Sequence, residues 1–213
     1  MEGDSMSVIT QEQLDKVRDL NYDHHRRMTI LHENNVASGL ADCRAEIDVR
    51  SYRTLLSHVP PARCAILEIG ASAGNQFPLL GDWLAEGGTI VGIDLYEPKV
   101  REAQHNGLPV TLGFVETLPY DDNSFDLVCS RHVMEHLVDL QEGMRQIMRV
   151  TKPGGFIAHV TPNMIIDEEP AHLNHRDGPG WRKEWESVGL IIISVERHEF
   201  NGGEIHLVGH KAE

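Results

Sequence analysis

Short apolar runs alternate with amphipathic stretches along the chain from residue 64 onward. Seven of these runs have the length and composition of buried strands. They are CAILEIG, TIVGIDL, VTLGFV, SFDLVCS, GFIAHVTP, IIISVERHEF and GEIHLVGHKA. Helix-like stretches separate most of them, and parallel strands need such crossovers. The sequence therefore predicts an α/β fold with a doubly wound, Rossmann-like sheet of seven strands.

The connections between the runs predict how the sheet is built. Four stretches have helical spacing, at 75–87, 97–107, 132–151 and 180–190. The last two strands are instead joined around the tight turn NGG at 201–203. A short glycine turn is typical of a β-hairpin, so we expect the sheet to end in an antiparallel pair.

Residues 1–60 differ from the rest and are predicted to form an N-terminal helical arm or cap. TQEQLDKVRDL and EIDVRSYRTLLSHV have apolar residues at helical spacing. Two prolines at 60 and 61 break any helix there, so residues 61–213 are predicted to form the main domain. If the arm folds over a binding site, the polar residues that can contact its ligands are Tyr22, His24, His25 and Arg26.

Composition limits the partners and the compartment. Nineteen Lys and Arg against 33 Asp and Glu give a formal net charge of −14, which repels phosphate backbones and anionic membrane surfaces. We therefore expect neither nucleic acid nor a membrane as partner.

Cys64 and Cys129 lie in apolar runs and are predicted to be buried free thiols, as in a reducing compartment. Without a signal-peptide pattern or an apolar run of about 20 residues, the predicted localisation is cytoplasmic.

The loop after the first strand, in LEIGASAGNQ, is the first candidate binding site. Ligands bind at the carboxyl ends of the strands in such a sheet. Gly70 allows a tight turn, the small Ala71 and Ser72 leave room near the backbone, and Gly74 opens the next helix. Glycines are missing at the second and third positions of G-x-G-x-x-G, so the loop does not match the dinucleotide fingerprint.

Two acidic residues near this loop indicate what kind of ligand it binds. Glu68 lies two residues before Gly70, where its carboxylate can attract a cationic, amine-bearing ligand. Asp94 ends the second strand, and an acid at this place accepts hydrogen bonds from the ribose hydroxyls of a nucleoside.

Four segments in this order resemble the class I S-adenosylmethionine-dependent methyltransferases, in particular the small-molecule group that includes quinone and sugar methyltransferases. The segments are LEIGASAGNQ, VGIDLYE, GFVETLPYDDNSFDLVCSRHVMEHL and RVTKPGGFIAHVTPN, and together they cover about residues 62–162. The resemblance implies an enzyme with S-adenosyl-L-methionine as cofactor and a small molecule as methyl acceptor.

The resemblance also implies a role for each matching residue. The loop residues would line the methionine part of the cofactor, Asp94 would hold the ribose, and the residues after it and after the third strand would border the adenine. The residues implied to contact the cofactor are Glu68, Gly70, Ala71, Ser72, Gly74, Asp94, Leu95, Val115, Glu116 and Ser130. Arg131, beside Ser130, would face the substrate.

Two positions depart from the pattern of this family. Ser72 replaces a glycine that is often found in the first motif, and serine is small enough for the loop to survive. Phe114 stands where many relatives have an aspartate that receives the adenine amino group. A backbone group, Glu116 or packing alone must then hold the adenine.

His132, Glu135 and His136 spell H-x-x-E-H, the pattern of a group of zinc peptidases. On a helix these three residues share one face, and the segment is predicted to begin the helix after the fourth strand. The surrounding motifs belong to a different scaffold, which argues against a peptidase.

Two chemical roles stay open for these residues. In one, His136 or His172 is a general base that takes the proton of a substrate hydroxyl. In the other, His132, Glu135, His136 and a downstream histidine bind a divalent ion. The second arrangement resembles methyltransferases that modify the terminal ribose of small RNAs, although those have a glutamate in place of His132. The sequence favours a site without metal, with His136, His172 and Arg131 as the catalytic candidates.

The predicted function is transfer of a methyl group to a hydroxyl of a small molecule. The segment EEPAHLNHRDGPGWRKEW resembles the same region of methyltransferases linked to sugar modification, so the predicted acceptor is a sugar or a glycosylated metabolite. The alternatives are N- or carboxylate-methylation of a small metabolite, or a non-catalytic methyltransferase-like partner subunit. The sequence leaves the oligomeric state open, with a homodimer as one option.

Overall fold

The computed structural model describes residues 10–37, 41–61, 63–163, 169–199 and 203–213. Within the first two helices, the side chains at 14, 17, 25 and 28–48 lie outside this description. The helices and strands are α1 Gln11–Ala37, α2 Ala41–Leu56, β1 Arg63–Ile69, α3 Phe77–Leu80, β2 Leu84–Asp94, α4 Glu97–His105, β3 Val110–Leu112, β4 Phe125–Arg131, α5 Leu140–Val150, β5 Thr151–Pro162, α6 Gly178–Ser187, β6 Leu190–His198 and β7 Glu204–Lys211.

The seven strands form one sheet in the order β3-β2-β1-β4-β5-β7-β6. The first five strands are parallel, and β7 is antiparallel to both β5 and β6. In the middle of the sheet, Glu68 of β1 is level with Gly92 of β2 and Cys129 of β4. The predicted doubly wound sheet and its C-terminal antiparallel hairpin are therefore confirmed.

Helices cover both faces of the sheet, and neighbouring strand residues alternate between the two cores. Ile66 and Leu127 belong to the core under α2, α3 and α4, whereas Leu67 and Val128 belong to the core under α5 and α6. The largest fully buried side chains of the second core are Trp181 and Trp185 of α6. These two layers place the carboxyl ends of the parallel strands at one rim.

The helix α2 packs directly on the sheet. Tyr52, Leu55 and Leu56 are almost fully buried in the same core as α3 and α4. The predicted division of the chain at residue 60 stays a prediction. The packing of α2 nevertheless ties part of the predicted arm to the main domain.

Two predicted helices are shorter in the structure. The stretch at 75–87 is helical only in α3 and a following 3-10 turn, and β2 begins at Leu84. Gly88 lies close to β1, so that an added Cβ would be only 2.9 Å from the Cys64 carbonyl oxygen.

The stretch at 132–151 begins with His132 in the left-handed region, at φ 53°, which no helix accommodates. H-x-x-E-H therefore lies on a turn, and α5 starts only after its cap at Asp139.

The cysteine prediction is half right. Cys129 is a buried free thiol, but Cys64, near the start of β1, is an exposed one. The side chain of Cys43 lies outside the described residues. None of the described helices has the length and apolar character needed to cross a membrane.

Two leucines in strands test how far the core at α5 and α6 stabilises the fold. Leu207 is fully buried in β7, whereas Leu112 in the edge strand β3 is 49% exposed. We expect Leu207→Ala to lower the free energy of unfolding by about 2–5 kcal/mol and Leu112→Ala by less than about 1 kcal/mol. Urea unfolding measures both, and equal losses would contradict the assigned core.

Candidate functional site

One cavity of about 690 Å³ lies at the carboxyl ends of the parallel strands. It brings together nine of the thirteen residues predicted from the sequence. These are Gly70, Ser72, Asp94, Leu95, Val115, Glu116, Arg131, His136 and His172. The arm contributes Asn21 and His24 to the same wall.

The loop after β1 is held by unusual backbone angles. Gly70 has φ 72°, and a Cβ atom there would clash with the side chain of Val133. Ser72 also lies in the left-handed region, at φ 51°, a conformation that costs a residue with a side chain about 1 kcal/mol. The backbone N–H groups of Gly70 and Ala71 both donate to the Ile93 carbonyl. The loop is thus fixed close to the end of β2.

Asp94 is the residue that connects this loop to the next one. Its Oδ2 accepts from the Ser72 N–H at 2.8 Å, and its Oδ1 accepts from the Tyr96 N–H at 2.7 Å. The side chain is 6% exposed and lines the cavity. A carboxylate oxygen accepts two hydrogen bonds, so both oxygens keep capacity for a ligand hydroxyl.

Four predicted cofactor residues, Glu68, Ala71, Gly74 and Ser130, do not line the cavity. Glu68 lies beneath the loop, where its Oε1 accepts from the Tyr52 hydroxyl at 2.9 Å. Burial raises the pKa of Glu68 to about 8. The carboxyl is therefore mostly neutral at pH 7, and the expected attraction of a cationic group by Glu68 is not supported.

The residues predicted to border the adenine, Leu95, Val115 and Glu116, all line the cavity, and so does Phe114. Glu116 is buried, and its Oε1 accepts from the Val138 N–H at 2.8 Å. Burial raises the pKa of this carboxyl. Glu116 thus ties the cavity wall to the chain before α5.

Glu204 is a functional candidate that the sequence reasoning missed. Its carboxylate is fully buried at the start of β7. Oε1 accepts from Arg131 Nη2 at 2.9 Å, and Oε2 accepts from the Ser51 hydroxyl at 2.6 Å. Burial works against ionisation, but hydrogen bonds from His132, His206 and Ser51 hold the pKa of Glu204 far below its usual range. The available signal was an acid at the start of a predicted strand, where a buried carboxylate is rare unless it is paired.

His132 lies between two carboxylates. Its Nδ1 is 3.2 Å from Glu135 Oε1, and its Nε2 is 3.1 Å from Glu204 Oε1. Burial lowers the pKa of His132, but hydrogen bonds to these two carboxylates outweigh it and raise the pKa. The imidazole ring of His132 therefore connects the carboxylates of Glu135 and Glu204.

His136 is held in its neutral form. Its Nδ1 is 2.9 Å from the Ala171 carbonyl oxygen, which only accepts, so Nδ1 carries the hydrogen and Nε2 has a free electron pair. Burial lowers the pKa of His136 to about 4. The ring centroid of His172 lies 4.8 Å from that of His136. The two predicted catalytic histidines are thus neighbours.

The arm closes this side of the cavity. His24 Nδ1 lies 3.3 Å from Glu169 Oε2, and Arg27 Nη2 donates to Glu169 Oε1 at 2.8 Å. The hydroxyl of Tyr22 accepts from the Glu97 N–H. Arg26 is exposed and does not line the cavity, and the side chain of His25 lies outside the described residues.

Residues 67–159 match a family model described as a methyltransferase domain. This segment contains the loop after β1, Asp94 and the H-x-x-E-H turn. Residues 67–159 thus match a methyltransferase domain. The match bears out the predicted class I S-adenosylmethionine-dependent methyltransferase resemblance and its methyl donor, but not the quinone or sugar group. The domain model ends before His172, and the arm precedes it.

Curated relatives match part of this methyltransferase chain. A Bacillus subtilis protein called uncharacterized methyltransferase YcgJ is 29% identical over 130 residues, which are 56% of this chain and 50% of the relative. Demethylmenaquinone methyltransferase of Roseiflexus castenholzii is 31% identical over 119 residues, 51% of this chain and 48% of the relative. The chain thus spans about half the length of these relatives.

Solved structures show the same fold. A chain from the complex between the Haloferax volcanii Trm112 methyltransferase activator and a methyltransferase has a TM-score of 0.70 at 17% identity, covering 85% of this chain and 96% of that one. The crystal structure of Bacillus subtilis YcgJ has a TM-score of 0.62 at 18% identity, covering 75% and 97%. At these identities the likeness concerns the methyltransferase fold alone.

The pKa of Glu68 predicts an unusual pH dependence of stability. A folded-state pKa of about 8 against an ordinary 4.5 means that only the unfolded chain releases this proton between those pH values. The free energy of unfolding should therefore fall with rising pH by up to about 1.4 kcal/mol per pH unit, relative to Glu68→Gln. Urea unfolding near pH 5 and near pH 8 measures the difference, with the exposed Glu102→Gln as control. A wild-type to Glu68→Gln difference that is equal at both pH values would contradict the prediction.

Proposed function

We propose that the chain is an S-adenosylmethionine-dependent methyltransferase that acts on a hydroxyl of a small molecule, a sugar or a glycosylated metabolite. The observation that carries this proposal is the composition of the cavity at the carboxyl ends of the strands. It combines the Gly70 loop and Asp94 with the unprotonated Nε2 of His136. A nucleoside-binding wall and a group that accepts a hydroxyl proton or orients a hydroxyl thus face the same space.

The cofactor wall fits its ligand by shape and by charge. Gly70 has no Cβ, which lets its backbone lie against Val133 at the cavity, and Asp94 offers acceptors to a ribose. When bound, the cofactor supplies the methyl group, which leaves sulfur as the acceptor oxygen bonds to it, and the sulfur becomes a neutral thioether. Leu95, Phe114 and Val115 supply an apolar and backbone surface for the adenine, which fits the missing aspartate at 114.

The side of the cavity that we propose binds the acceptor, called the acceptor wall, is formed by polar groups: Asn21, Arg131, His136, Glu169 and His172. Arg131 is held by Glu204, with only 14% of its side chain exposed. His136 and His172 present imidazole rings, and Glu169 and Asn21 add polar atoms. Several fixed donors and acceptors are what recognises a compound with many hydroxyls, and this supports a sugar-like acceptor.

The pKa of His136 changes its expected part in the reaction. A group with a pKa of about 4 stays unprotonated at neutral pH but is a weak base. We therefore assign His136 to orienting the acceptor hydroxyl rather than to removing its proton. Alignment of acceptor oxygen and methyl group provides much of the acceleration in such a displacement.

The names of the relatives do not decide the acceptor. The family match ends at residue 159, whereas His172, Glu169 and the arm residues lie outside it. The demethylmenaquinone methyltransferase of Roseiflexus castenholzii matches 51% of this chain, and the acceptor is proposed from this chain's own residues.

Titration calorimetry with S-adenosylhomocysteine tests the cofactor wall. We expect binding at one site per chain, and a loss of affinity of about tenfold or more for Asp94→Ala, because hydrogen bonds to a charged group contribute about 1.5–3 kcal/mol. Asp121→Ala changes an exposed aspartate outside the cavity and should bind like the wild type. Absent binding, or equal affinity of all three proteins, would refute the cofactor site.

Acceptor specificity is tested by transfer of a labelled methyl group to panels of sugars, amines and carboxylic acids. The proposal expects label on sugar oxygen. Label on nitrogen or on a carboxylate would refute the hydroxyl acceptor while leaving the cofactor site intact.

A further inference from the structure

Three donor atoms meet at the acceptor wall of the cavity. Glu135 offers a carboxylate oxygen, and His136 and His172 each offer a ring nitrogen. These three atoms lie within 4.8 Å of one another. The side chain of Glu135 is 3% exposed, and its Oε2 has no hydrogen-bond partner among the described residues. The other oxygen, Oε1, lies 3.9 Å from His136 Nε2. A buried carboxylate with an oxygen that lacks a donor is costly, and a cation bound by this carboxylate lowers that cost.

The neighbours of these residues prepare them for an ion. The Nδ1 of His136 donates to the Ala171 carbonyl, the usual arrangement of a metal-binding histidine, in which a carbonyl fixes the tautomer. His132 is excluded as a ligand, because both of its ring nitrogens pair with carboxylates, those of Glu135 and Glu204. The set therefore differs from the H-x-x-E-H pattern of the sequence.

We propose that Glu135, His136 and His172 bind a divalent transition-metal ion, and that this ion binds the acceptor hydroxyl. The second part rests on the proposed function and places the ion between His136 Nε2 and the acceptor hydroxyl, so that His136 orients the hydroxyl through the ion. The first part does not rest on the proposed function. Two imidazoles and one carboxylate suit Zn²⁺, Co²⁺, Mn²⁺, Fe²⁺ or Ni²⁺ better than Mg²⁺ or Ca²⁺. An ion about 2 Å from each donor needs donors within about 4 Å of one another, so small side-chain rotations complete the site.

The ion gives the acceptor wall a way to activate a weakly acidic hydroxyl. Three protein ligands leave coordination positions open, and an oxygen bound there loses its proton more readily. The proton passes to solvent water. The electron pair of the oxygen then forms the bond to the methyl carbon, and the pair of the carbon–sulfur bond returns to sulfur.

The arm encloses this site. The ring centroid of His24 lies 5.2 Å from that of His136 and 6.0 Å from that of His172. His24 and Arg27 both pair with Glu169, three residues before His172. The loop that carries His172 is thus anchored to α1.

Calorimetric and spectroscopic titration of the chelator-treated full chain with Co²⁺ tests the site. All proteins carry Cys64→Ser, because an exposed thiol binds the same ions. We expect one Co²⁺ per chain with the visible absorption of bound cobalt, and little binding of Mg²⁺. His136→Ala, His172→Ala and the milder Glu135→Gln should each weaken Co²⁺ binding by about tenfold or more. The matched control is His105→Ala, an exposed histidine in α4, which should bind like the parent.

Binding of S-adenosylhomocysteine is measured on the same proteins to separate the two proposals. Retained S-adenosylhomocysteine binding in the variants shows that they are folded, and loss of Co²⁺ binding alone then supports the cation site. The cation site is overturned if Co²⁺ does not bind stoichiometrically, or if His136→Ala and His172→Ala bind Co²⁺ as tightly as the parent. This holds even if S-adenosylhomocysteine binds. Stoichiometric Co²⁺ binding that these variants weaken, without S-adenosylhomocysteine binding, overturns the proposed function and leaves the cation site standing.

Discussion

The buried carboxylate of Glu204 fixes much of the acceptor wall. A charge inside a protein is tolerated only when it is paired and fully hydrogen-bonded, and Glu204 meets this condition through Arg131, His132, Ser51 and His206. These partners come from α2, from the end of β4 and from β7, so one side chain joins three parts of the chain. His132, which is paired with Glu204, in turn contacts Glu135. The acceptor wall therefore depends on a residue that lines no part of the cavity.

The cofactor wall depends on a different constraint, the position of β1 between β2 and β4. The chain leaves β1 toward one side of the sheet and returns on the other, and this leaves a crevice at the carboxyl ends of the strands. Asp94 joins the two sides of that crevice through the backbone of Ser72 and Tyr96. The strained angle of Ser72 is thus maintained by a charge-assisted hydrogen bond, and a glycine at this position is not required.

The sequence was informative where local chemistry decides the structure. Apolar runs and glycines located all seven strands, and Gly70 and Asp94 could be assigned to the cavity because strand ends share one rim. It failed where a distant segment decides. Leu84 was expected in a helix but begins β2, where it pairs with Arg63 of β1. Glu68 was expected to face a ligand, but it binds Tyr52, which lies 16 residues away in α2. Glu204 could be recognised only once the fold had placed it beside Arg131.

The two walls of the cavity come from different parts of the chain. The residues proposed for the cofactor lie within the methyltransferase domain at 67–159. The acceptor wall also needs His24 from α1, Glu169 and His172 from the segment after β5, and Glu204 behind them. Because the cofactor is common to a family whereas acceptors differ, a chain can change its acceptor by altering these outer segments without disturbing Asp94 or its loop. His136 lies at the junction, inside the matched domain but oriented by the Ala171 carbonyl from outside it, and so it couples the part that holds the methyl donor to the part that selects the acceptor.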